Sequence, residues 1–456
     1  MEKINIIGGG LAGSEAALYL ANKGYSVNLY EMRPKKQTGA HKSADFAEFV
    51  CSNSLGSAAL TSASGLLKKE IEILGSNLIQ FAKNHAVPAG NSLSIDRFGF
   101  SGAVTDAIKE NKNITIINEE TETIPNNPDK ITLIATGPLT SKNLCIDIKE
   151  KFGEGHFNFF DAIAPIVKKE SIDFNKAFYG ARWGKGEPDF INCPMEKGDY
   201  ENFYNILTNA ETIELKDFEK DLFNSNPKFF EGCMPIEVMA KRGLDTLRFG
   251  PMKPVGLFDE RKFKDEEEKQ RCKKQQFYAV VQLRQDDKEA DLYNLVGFQT
   301  NLKWGEQKKL IQSIPGLENA EIVRYGVMHA NTFINSPKIL NKHLQTKMKE
   351  NLFFAGQLTG VEGYTESIAT GLFAAINIER YIANKPLIEL NSKCMLGALI
   401  DYITFNEHKN FQPVNSNWGI IEDMEMPRHI RKNKEEKNKL YSNRAIEYIN
   451  NLKNVL

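Results

Sequence analysis

A single glycine-rich turn near the start of the chain restricts the fold more than any other feature. Ile4-Asn5-Ile6-Ile7 is a short apolar run that passes directly into Gly8-Gly9-Gly10-Leu11-Ala12-Gly13. Apolar residues then recur at helical spacing (Ala16, Ala17, Leu18, Leu20) until Gly24, and Tyr25 to Tyr30 reads as a second strand ending at Glu31. Strand, glycine turn, helix, strand and terminal acid together make a dinucleotide-binding unit, and each element has a physical reason. Gly8 permits the tight turn, Gly10 lets the backbone approach a pyrophosphate, and Gly13 lets helix and strand pack closely. Gly9 completes the turn. The helix start at Leu11 and Ala12 offers unpaired N–H groups and a positive dipole end to phosphates, and Glu31 can accept ribose hydroxyls. A glycine motif alone is weak evidence; here its flanks and the terminal acid are all present.

Later strands indicate which dinucleotide. Met32-Arg33-Pro34 leaves the second strand with a cation, and Ile131 to Gly137 is a buried-type strand ending in Ala135-Thr136-Gly137. Asn351 to Gly356 is another, followed by Gln357 to Gly363 and Tyr364 and then a small-residue apolar helix from Ser367 to Tyr381. A second strand–glycine–helix unit so far from the first suits FAD better than NAD, with the late helix facing the flavin. The expected architecture is α/β: a Rossmann-like FAD-binding domain, discontinuous over residues 1–154 and 322–456, with an inserted mixed α/β substrate domain at 155–321. Within the insertion, Phe277 to Leu283 and Leu292 to Phe298 read as strands, and Arg261 to Gln276 as an exposed hairpin loop or solvated helix. The basic run Arg428 to Lys434 reads as a solvated helix face.

Composition excludes several classes. With 41% apolar and 26% charged residues the 456-residue chain is neither disordered nor fibrous. Lys and Arg number 58 against 59 Asp and Glu, so the chain is not basic overall, although a local basic face remains compatible. Six cysteines without a C-x-x-C pair are too sparse for a disulfide framework, which fits a reducing, cytoplasmic setting. No run is long and apolar enough for a membrane span, no leader is expected, and no spacing suggests a metal site.

Several longer stretches carry a more specific signal: Phe46 to Ser54, Phe230 to Glu237, Gly250 to Gly256, Tyr293 to Thr300, Leu302 to Gln307, Asn331 to Pro337 and Gly356 to Tyr364, together with the opening glycine turn. In these the chain closely resembles the bacterial folate- and FAD-dependent tRNA (uracil-5-)-methyltransferases. The resemblance implies formation of 5-methyluridine in the tRNA T-loop. The carbon comes from 5,10-methylenetetrahydrofolate, and FAD recharged by NAD(P)H is the hydride source. Carbon 5 of uracil is a poor nucleophile until a group adds at carbon 6, and a thiolate is suited to that addition. Cys233, in Gly232-Cys233-Met234-Pro235, is assigned as that nucleophile, with Glu231 and Glu237 as nearby acids; by resemblance Cys51 lies close to the flavin as a second catalytic thiol, one that receives the methylene or shuttles a proton. Cys145, Cys193 and Cys394 read as core residues and Cys272 as exposed and incidental. Tyr364 and His329 are the candidates for a folate wall. Lys241, Arg242, Arg248, Lys253, Arg284 and Lys303, with Trp304, form the candidate basic side for structured RNA. The family commonly has a basic residue where this chain has Gly56 and an arginine where it has Ala330, which keeps a uridine of 23S ribosomal RNA open as an alternative target. A small-molecule flavin oxidoreductase and a non-catalytic RNA-binding flavoprotein are the rival classes.

Overall fold

The structure is a computed structural model describing residues 3–127, 129–153, 157–184, 187–213, 234–263, 277–405 and 411–456; for 157–162 and 329–330 only the backbone is described. Five short apolar strands form a parallel sheet in the order Leu352–Phe354, Thr132–Ile134, Ile4–Ile7, Val27–Tyr30, Ile114–Ile117. Ile4, Ile6, Leu29, Leu133, Ile134, Phe353 and Phe354 are all buried, as expected for strands covered on both faces. The register pairs Ile7 with Tyr30 and with Ile134, and Phe354 with Ile134, so Gly8, Glu31, Ala135 and Ala355 leave the sheet along one edge. This is the carboxyl edge, where open parallel sheets bind ligands.

Two helices cross behind that edge, Leu11–Asn22 and Tyr364–Ile382, and small residues set their separation. A Cβ on Gly371 would stand 2.3 Å from the Ala12 carbonyl oxygen, and one on Gly13 would stand 1.9 Å from the Gly8 carbonyl oxygen. The late helix starts at Tyr364, three residues before the position expected from sequence, with Gly363 as its N-cap. Two buried carboxylates fix the supporting helices. Glu15 accepts from the Asn77 and Leu78 N–H groups at 2.9 and 2.8 Å, while Glu70 accepts from those of Met395 and Leu396 at 2.8 and 2.7 Å. Each thus binds the electropositive start of a helix, and burial pushes both carboxyls up, Glu70 to about 7.

A second sheet is built differently. Its six strands run in the order Phe178–Tyr179, Phe190–Met195, Ala279–Gln285, Leu292–Leu295, Ile166–Lys168, Ile322–Arg324, all antiparallel. Helices Lys197–Asn209 and Trp304–Gln312 contribute Tyr200, Phe203, Leu207, Leu310 and Ile311 to its own core, together with Ile191, Val281 and Phe298. The strand pair Phe157–Ala162 and Met328–Phe333 runs beside it. Of the charge-rich stretch Arg261 to Gln276, residues up to Phe263 are described and lie in and after a short 3-10 turn; residues 264–276 lie outside the described set. The basic run near 430 is helical, Arg428–Lys432, and leads into the terminal helix Lys434–Lys453.

The Ala12–Gly371 crossing leads to a first prediction. Gly371→Ala should lower stability by about 1–3 kcal/mol despite alanine's better helix propensity, because the added methyl must push apart the packed backbones of both helices. Urea unfolding should show a lower midpoint with an unchanged slope.

Candidate active site

The carboxyl edge of the parallel sheet opens into a cavity of about 1000 Å3, mouth included. Gly8, Gly10, Leu11, Ala12, Glu31, Arg33, Thr136, Gly137, Gly356, Gln357 and Tyr364, all expected from sequence as cofactor contacts, line it. A Cβ on Gly10 would meet nothing within 4 Å, so the space above the helix start belongs to the cavity. Gly10 caps the helix without a side-chain hydrogen bond. Gly9 and Gly13 stand behind this wall: a Cβ on Gly9 would press on the Phe46 ring at 2.4 Å. Gly363 lines the adjoining cavity.

Glu31 is more heavily engaged than its position at a strand end foretold. Its Oε2 accepts the Gly9 N–H at 2.9 Å, and its Oε1 accepts both the N–H and Nε–H of Arg33 at 3.0 Å. Burial alone would raise the carboxyl, but the adjacent Arg33 guanidinium and these N–H donors hold it below the usual range. Arg33 is 1% exposed and reaches Glu48 at 3.4 Å with its other arm. Glu48 in turn accepts from the Lys42 and Ser43 N–H groups at 2.8 and 3.1 Å. The irregular segment after Glu31 is therefore organised around one buried cation. His41 belongs to the same wall, 2.6 Å from Thr38 Oγ1; burial, with Arg33 beside it, pushes its imidazole down to about 4, so it is neutral at pH 7. Thr38, His41, Glu48 and Glu120 were missed from sequence because they sit in segments without periodicity.

Two further cavities continue from this one. The first, about 690 Å3, shares Val50, Pro138, Leu139, Gln357 and Tyr364 with the dinucleotide groove; the second, about 850 Å3, shares Cys51 and Ser52 with the first. Cys51 thus stands between the groove and the antiparallel sheet. Its loop is held by its neighbours. The Cys51 N–H donates to the Tyr364 hydroxyl at 2.7 Å, Arg97 donates to the Cys51 carbonyl at 3.3 Å, and Arg324 donates to the Val50 carbonyl at 2.8 Å. The Tyr364 ring packs on Phe49 with centroids 4.2 Å apart. Cys233 lies outside the described residues, while the next residue, Met234, lines the same cavity as Cys51.

The floor of that cavity is a polar chain. Arg97 donates to Asp286 Oδ1 at 2.7 Å, Asn294 Nδ2 donates to the same oxygen at 3.0 Å, and Arg284 Nη2 donates to Asn294 Oδ1 at 3.3 Å. Asn294 Nδ2 also donates to Asn53 Oδ1 at 3.2 Å, and Asn53 Nδ2 donates to the Gln285 carbonyl at 2.8 Å. Arg284, grouped from sequence with the RNA-facing cations, is therefore a cavity residue.

The other basic candidates are outside. Lys241, Arg242 and Lys253 are exposed and lie in sequence beside Met239 and Pro251, which line the Cys51 cavity. Arg248 donates to Asp245 at 2.5 Å and lies 3.6 Å from the Tyr278 ring centroid, and Lys303 pairs with Glu211 at 2.6 Å. Trp304 is 59% exposed and stacks on Tyr325, and Phe249 beside Arg248 is 80% exposed. Glu237 accepts from Thr300 Oγ1 and the Asn301 N–H at 2.9 and 2.8 Å, and thereby holds a loop; burial pushes its carboxyl up. Glu231, Cys272 and the His329 side chain lie outside what is described. Cys193 and Cys394 are buried and Cys145 half-buried, and burial pushes all three thiols up, Cys145 to about 11. Among the described residues no cluster of His, Cys, Asp or Glu could hold a metal, and no helix is long and apolar enough to cross a membrane.

Comparison with known proteins agrees with this geometry. The family described as GIDA, glucose inhibited division protein A, matches residues 3–386. Methylenetetrahydrofolate–tRNA-(uracil-5-)-methyltransferase TrmFO of Bacillus cereus (strain G9842) is 52% identical over 452 residues, 99% of each chain. The protein of the same name from Bacillus velezensis is 52% identical over 448 residues, 98% of each chain. Among solved structures, Aquifex aeolicus GidA superposes with TM-score 0.67 in one crystal form at 18% identity, covering all of this chain and 76% of that one. A second crystal form gives 0.65 at 16%, covering 99% and 73%. These two establish the fold, a Rossmann-like sheet with an additional antiparallel one.

The Glu31–Arg33 contact leads to a pH prediction. A carboxyl lowered on folding contributes stability that is present above its unfolded pKa and lost as pH falls through the folded one. Glu31→Gln should therefore destabilise the protein at pH 7 and flatten the acid limb of its melting temperature plotted against pH, as read by calorimetry from pH 3 to 7.

Proposed function

The chain belongs to the glucose inhibited division protein A family, in its branch of folate-dependent tRNA (uracil-5-)-methyltransferases, and from that premise we propose how its own residues form 5-methyluridine in the tRNA T-loop. The observation that carries the reading is the continuous path from the dinucleotide groove past Tyr364 and Cys51 to the cavity floored by Arg284 and Asn294.

FAD fits the groove on three grounds. The open space over Gly10 and the uncapped start of helix Leu11–Asn22 suit a pyrophosphate, and the carboxylate of Glu31 at the cavity wall suits ribose hydroxyls. The start of helix Tyr364–Ile382, with Gly356 and Gln357 beside it, presents a second positive dipole end for the ring system. When bound, the flavin, recharged by NAD(P)H, supplies the hydride that turns a transferred methylene into a methyl group.

Everything else falls to the chain's side chains. Cys233, as a thiolate, adds to carbon 6 of uracil and makes carbon 5 nucleophilic toward the one-carbon unit of 5,10-methylenetetrahydrofolate. Cys51 lines the cavity that Met234 also lines, where its sulfur, as the thiolate, can take the proton released from carbon 5. Tyr364 holds the Cys51 backbone through its hydroxyl and offers its ring as a wall between the cavities for the folate, with His329 as a second candidate. Lys241, Arg242 and Lys253 are exposed near the rim, where cations meet RNA phosphates, and the target base must leave its stack to reach the floor. Cys145, Cys193 and Cys394 are free thiols, in keeping with work in the cytoplasm.

Purified protein supplied with FAD, NADPH, 5,10-methylenetetrahydrofolate and unmodified tRNA should yield 5-methyluridine, detected by nucleoside analysis, and a 23S ribosomal RNA fragment should yield none. Cys233→Ala should abolish product while leaving NADPH-dependent flavin reduction intact. Product from ribosomal RNA alone would overturn the tRNA target, and NADPH turnover indifferent to RNA and folate would overturn the methyltransferase reading.

A further inference from the structure

Arg284 is a half-buried cation with few partners. Among the described residues it makes one hydrogen bond, from Nη2 to Asn294 Oδ1 at 3.3 Å, and its Nε is covered from solvent with no acceptor. Its guanidinium carries five N–H donors, and leaving the covered Nε–H unmet inside a protein is costly. Arg97, by contrast, has Asp286 and two backbone carbonyls, of Phe49 and Cys51. The position of Arg284 is tightly specified. It stands opposite Asn294 in the antiparallel pair Ala279–Gln285 with Leu292–Leu295, and Asn294 is oriented by its own bonds to Asn53 and Asp286. A donor fixed this firmly, with so little to bind, in the cavity that Cys51 and Met234 also line, suits an acceptor brought by a ligand.

We propose that Arg284 donates to the O4 carbonyl of the target uracil and stabilises the negative charge that gathers there during catalysis, so that it reads the base and does not bind a phosphate. This rests on the functional reading above. When a thiolate forms its bond to carbon 6, the C5=C6 electron pair shifts toward C4 and the C4=O4 pair comes to rest on O4. When carbon 5 then bonds to the one-carbon unit, that pair returns to the carbonyl. No proton has to leave Arg284. Burial, with Arg97 nearby, pushes its pKa down to about 10, which still leaves it charged at neutral pH. A preorganised cation lining the cavity is placed to act at this step. It also accounts for discrimination against cytosine, whose exocyclic amino group at the same position would set donor against donor.

The test uses the full-length flavin-loaded protein and tRNA transcripts carrying 5-fluorouridine, which trap the carbon-6 adduct as a species visible on a denaturing gel. Arg284→Gln should slow trapping by about 10²–10³-fold, as loss of one oxyanion donor does elsewhere. NADPH oxidation and the salt dependence of tRNA affinity should be unchanged, and Arg284→Lys should recover some of the rate. Transcripts with 4-thiouridine at the target should slow the wild type and add little to the defect of Arg284→Gln. Trapping by Arg284→Gln at the wild-type rate would overturn the proposal, as would a salt slope reduced by about one, which marks a lost phosphate contact. If Arg284→Gln loses flavin or fails to fold, Arg284→Lys and the 4-thiouridine result decide: an undiminished wild-type rate on the thio substrate overturns it. Absence of trapping in the wild type itself would strike the methyltransferase reading instead.

Discussion

The ion pair between Arg97 and Asp286 ties the two halves of the molecule to each other at the reactive centre. Their side chains are 6% and 2% exposed and 2.7 Å apart. Burial would weaken the arginine's charge, but Asp286 together with Tyr364 and Cys51 holds its pKa above the ordinary value. Arg97 begins a helix packed behind the parallel sheet, and Asp286 follows the strand Ala279–Gln285 of the antiparallel sheet. The loop carrying Cys51 lies between them, outside any strand at that residue. Its geometry comes from Arg97 on its carbonyls, Asn53 bridging to Gln285, and the Tyr364 hydroxyl. Removing one member of such a buried pair typically costs about 3–5 kcal/mol, because the remaining charge has no water. Here the loss would also release the thiol's position. The pair therefore matters more for registering two sheets than for net stability.

The parallel sheet was legible because its signals are local. Ile4 to Glu31 contains strand, turn, helix and acid in one unbroken stretch, and Thr136-Gly137 and Gly356-Gln357 mark the ends of two more strands. Each of those four residues lines the same cavity. The opening glycines could be read individually because their roles are steric: Gly13 allows a backbone contact that a methyl would block, whereas the like role of Gly371 shows only in the packed helices. The roles of Arg33 and His41 were not legible in detail. Arg33 looked like a cofactor contact, and it does line the groove, but its guanidinium is turned onto Glu31 and Glu48. That arrangement depends on the fold of residues 34–48, where no period exists to be read.

Arg284 shows the limit in another form. In sequence it is one more cation in a stretch that also holds Lys241, Arg248 and Lys253, and the surface reading was the natural one. Only strand pairing separates them. The alternation Val281-Gln282-Leu283-Arg284-Gln285 places Arg284 opposite Asn294, and the partner strand carries the asparagine that Asp286 orients. Lys241 and Lys253, on short turns, remain exposed. Side-chain period gives the face of a strand, but not which face looks into a cavity shared with another sheet.

The groove and the cavity beyond Cys51 are built from different materials, and this difference bears on how the protein selects its RNA. The dinucleotide groove sets glycines and helix starts beside one fixed charge group, Glu31, Arg33 and Glu48. The cavity beyond Cys51 is built from side chains, Arg284, Asn294, Met234 and Met239 among them. Substitutions in such a wall can change which base or loop is accepted without disturbing the groove. Chains that share the groove can therefore differ in target. A floor whose cation is aimed at a carbonyl distinguishes uracil from cytosine regardless of the phosphates around it. Contacts at the rim then need only bring the correct loop within reach.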